Sequence, residues 1–494
     1  SDALLYQALL SFQDARQRKT DWSGLDHEQI LLFQRGATED LGLWFLENAK
    51  GMVGGVTYNA DIFRADTACM LRERYLELMA SVLADPRRSI SALTRVGATA
   101  PANEVAPSPM TVDLAQSSAS LHALFEQQAA HAPSATALRQ GSWGTSYVEL
   151  DQRANRLAVA LARRGAGPGR CVALIAEHGI NRIAALIGIL KTGARCLPLD
   201  PADPPSRLTQ WLACDQVDIV VGDSALGEAL AWPRTKTLCL DADTPEIVSA
   251  PAGRFSGGPA GASDIALSLA APDLRGQPQI RHYSHRLINQ KLAALRHALG
   301  LGAGECLLGT AAADTMMSII ECMLALVHGN EFVLTTRNDL GKAGSLANLL
   351  SSSKAGTLFA NADTLQCLFS GSDNVIFDAR VICTGAKPSA ALADDICARS
   401  KGLWTALLTD ATIIASCGQV GVPLEGVHVG SALDGVELRV LDESGAALTV
   451  GAIGEICVSD VNLCDPDGST LLQRSGWRGR WLAHRHIEEL GRID

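Results

Sequence analysis

The chain has 494 residues, 47% hydrophobic and 19% charged, with a formal net charge of −11. Such a length exceeds one ordinary core and predicts roughly two to four domains. The acidic balance argues against a nucleic-acid partner, whose phosphates it would repel, and the want of an apolar run of about 18 residues argues against a transmembrane helix. The first residues, Ser1-Asp2-Ala3-Leu4-Leu5, lack a basic n-region and an apolar h-region. They begin inside an apolar pattern, which reads as a piece of a longer chain. The 13 cysteines are scattered singly. They predict buried, reduced thiols in a cytoplasmic protein rather than a disulfide framework or zinc site. There is no HExxH, no metal site is expected, and His484 and His486 read as part of a turn or strand.

Residues 1–96 form a first unit. It contains the apolar run Leu41–Leu46 and an amphipathic helix over Thr67–Ala84, with Leu71, Tyr75, Leu78, Met79 and Val82 on one face. Residues 97–119 are rich in Pro, Ala and Ser and read as an interdomain linker. From Leu121 helical stretches alternate with short β-branched runs. Cys171–Ile175, Ile219–Val221, Ile265–Leu269 and Val375–Phe377 read as strands of parallel sheets in an α/β domain. After about Leu424, alternating runs such as Val436–Leu441 predict a more antiparallel, β-rich part.

Residues 271–286 hold the most informative segment. A loop that cradles a triphosphate needs small residues, hydroxyls and a cation. The order strand, loop, helix places this segment where such a loop belongs. Gly276, Pro278, His285 and Arg286 stand at sensible spacing. Hydroxyls and a lysine are missing, and Asp273 brings a negative charge.

Several segments in order resemble the nonribosomal peptide synthetases. Thr145–Leu150 resembles the first core motif of their adenylation domains, Leu190–Asp200 the second, Gly454-Glu455-Ile456 the start of the sixth, and Gly491–Asp494 the start of the hinge motif. The resemblance covers about residues 121–494. It implies an α/β adenylation core of the AMP-forming ligase superfamily. Two layered α/β subdomains would occupy 120–424 and a β-rich subdomain 425–494, ending at the hinge, with the C-terminal lid and its lysine absent. Residues 1–96, through Leu4–Gln7, Tyr58–Phe63 and the helix ending Asp85-Pro86, resemble the α+β C-terminal end of a condensation domain, whose HHxxxDG motif would lie upstream.

Adenylation joins a carboxylate to the α-phosphate of ATP, with Mg²⁺ and clamps on phosphate, ribose and substrate amine. Ungapped placement against the family's motifs finds most of these contacts replaced. In the phosphate loop, approximately TSGTTGxPKG in the family, Ala271, Pro272 and Asp273 stand at the first three positions and Gln279 at the lysine. Pro272 also removes a backbone N–H. Five residues before Glu321, where the family keeps the Asp that pairs the substrate ammonium, lies Met316, and Asp314 is two residues off. In the adenine and metal motif, YGPTE in the family, Ala406 replaces the aromatic residue. Thr409 is kept, and Asp410 preserves a carboxylate one methylene shorter. Trp477 stands at the ribose-clamping Asp, and an indole only donates.

Motifs that hold the fold survive, whereas ligand contacts do not. The expectation is a non-catalytic adenylation core without catalytic, cofactor or metal residues, acting as a scaffold. Its partners would be the neighbouring condensation and peptidyl-carrier domains and an adenylation enzyme acting in trans. The alternative is an active ligase for an atypical acid. There Asp410 would hold Mg²⁺ and Arg275 or Arg281 would take over contacts to ATP.

Overall fold

The computed structural model describes residues 8–14, 24, 39–48, 51–60, 63, 65–87, 119–255, 257, 261–272, 278–340, 343–371, 375–409, 413–421, 428–448, 451–464, 470–482 and 486–493. Asp273, Arg275, Gly276, Asp410, His484, Asp494 and nearly all of the 97–119 linker lie outside the described residues, as do the side chains of residues 271–278.

The chain divides into two compact units. The first consists of residues 1–102 with 442–453 and 481–485. It holds strands β1 (Ala8–Asp14), β2 (Leu41–Asn48) and β3 (Gly51–Tyr58), with β1 parallel and β3 antiparallel to β2. Helix α1 (Ala65–Ala84) follows, two residues longer than the sequence predicts. Leu71, Tyr75, Leu78 and Val82 are half-buried along its apolar face, whereas Met79 is exposed. Tyr75 stacks on Phe45 of β2 with ring centroids 5.6 Å apart.

The second unit comprises residues 103–441, 454–480 and 486–494. It opens with α2 (Leu121–His131), β4 (Thr136–Gln140), β5 (Trp143–Ser146) and α3 (Tyr147–Arg163). Then come β6 (Cys171–Ile175), α4 (Ile180–Lys191), β7 (Arg195–Leu199), α5 (Pro205–Cys214), β8 (Ile219–Gly222), α6 (Ser224–Ala229), β9 (Thr237–Cys239) and α7 (Thr244–Ser249). A hairpin of β10 (Ile265–Pro272) and β11 (Pro278–Ser284) leads into α8 (His285–Leu299). The chain continues through β12 (Cys306–Gly309), α9 (Met316–Leu326), β13 (Glu331–Leu334), α10 (Arg337–Leu340), α11 (Ala343–Ser353), β14 (Thr357–Ala360), α12 (Ala362–Ser370), β15 (Arg380–Thr384) and α13 (Ala390–Arg399). Strands β16 (Gly402–Thr409), β17 (Ile413–Gln419), β18 (Ser431–Ala432), β19 (Val436–Leu441), β20 (Ile453–Cys464), β21 (Thr470–Trp481) and β22 (Ile487–Arg492) complete it.

The strands build a six-stranded sheet (β11-β10-β7-β6-β8-β9), a nine-stranded sheet (β18-β17-β16-β15-β14-β12-β13-β4-β5) and a four-stranded sheet (β19-β20-β21-β22). Their apolar runs are continuous because both faces of the central strands are covered. Val172 and Leu174 of β6 join one core cluster, whereas Cys171, Ala173 and Ile175 join another with Leu208 and Trp211 of α5. The period of two divides each strand between two layers. Phe359 and Ile382 likewise face the first cluster with α8 and α9, whereas Leu358 and Val381 face α11, α12 and α13. Among the described residues, no helix is long and apolar enough to cross a membrane.

One expected strand is absent. Val375–Phe377 is irregular, and the Phe377 N–H bonds the Arg399 carbonyl at 2.7 Å instead of a ladder partner. The strand runs five residues later, over Arg380–Thr384.

Candidate functional site

The described residues on either side of 273–277 pair as strands, and the helix starts only at His285. Ala271 faces Gln279 and Pro272 faces Pro278 across an antiparallel ladder, so the chain returns to the sheet before α8 starts. Ser268 Oγ lies 2.9 Å from His282 Nδ1 and ties the two strands. Gln279 is exposed on β11, and Arg281 stands opposite Leu269. Ser284 caps α8 by accepting from the Leu287 N–H at 3.3 Å.

His285 and Arg286, expected as remnants of an ATP loop, hold the fold. His285 is 1% exposed, and its Nδ1 accepts the Leu121 N–H at 3.1 Å, capping α2. Burial, with His122 adjacent, lowers its pKa to about 4, which keeps the ring neutral and able to accept. Arg286 donates to Ser263 Oγ at 3.2 Å, and its backbone N–H bonds the Ala262 carbonyl at 2.7 Å.

At the next expected position, Thr315 caps α9 by accepting from the Ser318 N–H at 3.3 Å. Met316, the first helical residue, packs half-buried against the main core cluster. Asp314 precedes the cap. Burial raises its pKa, and Asp200 and Asp203 raise it further. Arg182, at 4% exposure, donates to the Ala176 carbonyl at 2.8 Å and to the Ala313 carbonyl, fixing the turn that carries Asp314. Sequence reasoning missed Arg182; its signal was a lone arginine in the apolar helix after β6. Glu321 lies fully buried one turn further into α9 and accepts the Ala311 N–H at 3.3 Å. Burial pushes its pKa well above the carboxylate range. Gly309 leaves the space that Glu321 and Phe332 occupy.

Residues Ala406–Thr409 of the placed adenine and metal motif lie on β16. Ala406 is 3% exposed and pairs Thr384 on one side and Cys417 on the other. The ladder to β17 bulges between Leu407 and Leu408 and ends with Thr409 opposite Ile413. Ile413 has φ +69, a left-handed conformation that a β-branched residue rarely adopts. Trp477 lies on β21 next to Gly476, whose φ of +73 makes a left-handed kink. The Arg492 Cζ lies 4.9 Å from the centre of the Trp477 ring, and the Gly476 carbonyl accepts the Ile493 N–H at 2.8 Å.

Cavities among the described residues of the second unit include four that are not lined by Met316, Ala406, Thr409 or Trp477. One of about 10 Å³, room for about one water, lies beside Arg182, Ser318 and Glu321. Among the described residues, no group of three or more His, Cys, Asp or Glu side chains could hold a metal ion.

A sequence model of the family described as "AMP-binding enzyme" matches residues 125–263 and 276–464, about two thirds of the chain. The chain belongs to the AMP-binding enzyme family. The chain is similar to Tyrocidine synthase 3 of Brevibacillus parabrevis, at 24% identity over 99% of this chain and 8% of that protein. It is also similar to Isonitrile lipopeptide synthase of Mycobacterium tuberculosis, at 27% identity over 99% of this chain and 20% of that protein. It therefore spans no more than a fifth of the length of these two relatives. The crystal structure of a holo four-domain nonribosomal peptide synthetase bound to AMP and glycine superimposes with a TM-score of 0.79. Identity is 21%, covering 94% of this chain and 36% of that one. The Klebsiella oxytoca NpsA N-terminal subdomain gives 0.66 at 20% identity, covering 75% and 99%. The fold is thus the mixed α/β fold of synthetase adenylation domains.

Proposed function

We propose that this chain carries an adenylation core that has lost its reaction. It acts as a structural scaffold between condensation and carrier domains of a nonribosomal peptide synthetase. The carrying observation is the packing around α9. Met316, Ile320, Ala406, Ile413 and Ile414 belong to or pack against one apolar cluster with Phe359 and Ile382. An ammonium placed there would be unfavourable by several kcal/mol without a carboxylate partner. Arg492 over Trp477 supports the same reading, since a position suited to a ribose clamp is filled by a cation and an indole. The described residues do not fit ATP and Mg²⁺.

Residues 1–96 are proposed as the end of a condensation domain. The likeness to Tyrocidine synthase 3 spans 99% of the chain, well beyond the family match that starts at residue 125. Leu10, Phe12 and Met52 on β1 and β3 are 62%, 58% and 63% exposed, as expected of a sheet that packs on further structure. ATP–pyrophosphate exchange over a broad panel of amino and aryl acids, with a lid domain supplied in trans, tests the proposal. Background exchange with every acid is the expected result, and robust exchange with any one acid overturns it.

A further inference from the structure

Arg153 and Arg156 stand on successive turns of α3 and open into a groove of about 390 Å³ that Asn181 also lines. Neither has an ion-pair partner among the described residues. Arg164, at the end of the same helix, shows the contrast: its guanidinium meets Glu246 at 2.8 Å and Asp243 at 3.3 Å. The Nε of Arg156 is buried without a hydrogen-bond partner. A buried donor left unmatched is costly and calls for an acceptor. Desolvation and the neighbouring Arg156 lower the Arg153 pKa, although Arg153 itself is exposed and Arg156 half-buried. The acidic residue of the groove, Glu149, is already engaged with the Ser146 N–H and Oγ at 2.8 Å each.

Two further features bear on the ligand. Asn181 lies in the first turn of the 12-residue α4, whose N-cap, Gly179, offers no side-chain oxygen to the free N–H groups. That end of α4 adds a partial positive charge. The floor is apolar, with Leu157, Ile247 and Val248, and Val248 is 60% exposed. The groove also continues through Thr145, Arg153 and Asn181 into a crevice of about 660 Å³. That crevice lies outside the carboxyl ends of β6 and β8, where the strand order reverses. Strand β7 lies on one side of β6 and β8 on the other, with α4 and α5 on opposite faces. Crevices at such reversals are the preferred ligand sites of open α/β sheets, and the volume suits a small molecule.

We propose that this groove binds a small organic anion, a phosphate or sulfate ester, with its oxyanion between Arg153 and Arg156 and its organic part on the Leu157–Val248 floor. The proposal does not depend on the scaffold reading, because no residue of the groove belongs to the adenylation motifs displaced at 271–280, 316, 406–410 or 477. Titration calorimetry of the whole chain with phenyl phosphate, inorganic phosphate and phenol tests it, alongside R153Q/R156Q. Phenyl phosphate is expected to bind saturably and several-fold more tightly than inorganic phosphate. Phenol is expected not to bind, and the double variant to weaken phenyl phosphate about tenfold or more. An unchanged melting temperature of the unliganded variant shows that the loss is local. No saturable binding of phenyl phosphate to the wild type overturns the site. An affinity unchanged in R153Q/R156Q overturns it as well. Equal affinity for phenyl and inorganic phosphate overturns the assignment of the organic part.

Discussion

The Arg492 guanidinium sits over the face of Trp477, 4.9 Å from the ring centre. This pair joins β22 to β21 at the position proposed above to correspond to the family's ribose clamp. The indole thus has a structural partner in this fold. A double-mutant cycle of W477A and R492A, read by calorimetric melting, is expected to give a coupling of about 0.5–1 kcal/mol. A coupling of zero would leave Trp477 without this role.

Lys291 of α8 and Asp460 of β20 form an ion pair at 2.5 Å, with side chains 1% and 0% exposed. Breaking it strands a buried charge. D460N is expected to destabilise the chain by about 3–5 kcal/mol, whereas K291M/D460L should recover most of that loss. Denaturant unfolding of the three proteins checks the order, and a double variant no better than D460N contradicts it.

Glu321 gives the chain a pH dependence of known sign. Burial raises its folded pKa well above 4.5, so the folded state keeps a proton that the unfolded state releases. Its contribution is complete below pH 4.5 and is lost as pH rises toward the folded pKa. E321Q keeps the shape and the acceptor for the Ala311 N–H while removing the titration. The variant and wild type should be about equally stable near pH 4, and the variant more stable at pH 8. Urea midpoints at both pH values decide it; a pH-independent difference would contradict the buried proton.

Ser146 and Glu149 close a capping box at the start of α3. S146A is expected to cost about 1 kcal/mol, and a melting temperature unchanged within error would contradict it.

That capping box has a sequence spacing, Ser146 followed three residues later by Glu149, that the resemblance of Thr145–Leu150 to a core motif masked. Strands β6 and β8 were legible because apolar runs buried on two faces leave no polar period to confuse them, and β19 was legible from its alternation. Val375–Phe377 misled for the same reason. Its apolar residues include Ile376, 79% exposed, and the segment bonds to the end of α13 rather than to a strand. The role of His285 was not readable, since its partner Leu121 lies 164 residues away. The hairpin at 271–284 was hidden by its Gly and Pro residues, which read as an open loop. Arg153 and Arg156 carried a signal, two arginines three apart on a helix. Only the tertiary structure shows that, among the described residues, no carboxylate pairs with them.

The central claim is that the adenylation cleft no longer takes its nucleotide. Calorimetric titration of Mg-ATP into R153Q/R156Q tests it most directly, because this variant removes the separate anion groove from the measurement. The account predicts no saturable heat up to millimolar nucleotide. Saturable binding at micromolar to millimolar levels in that variant would place ATP in the cleft and contradict it.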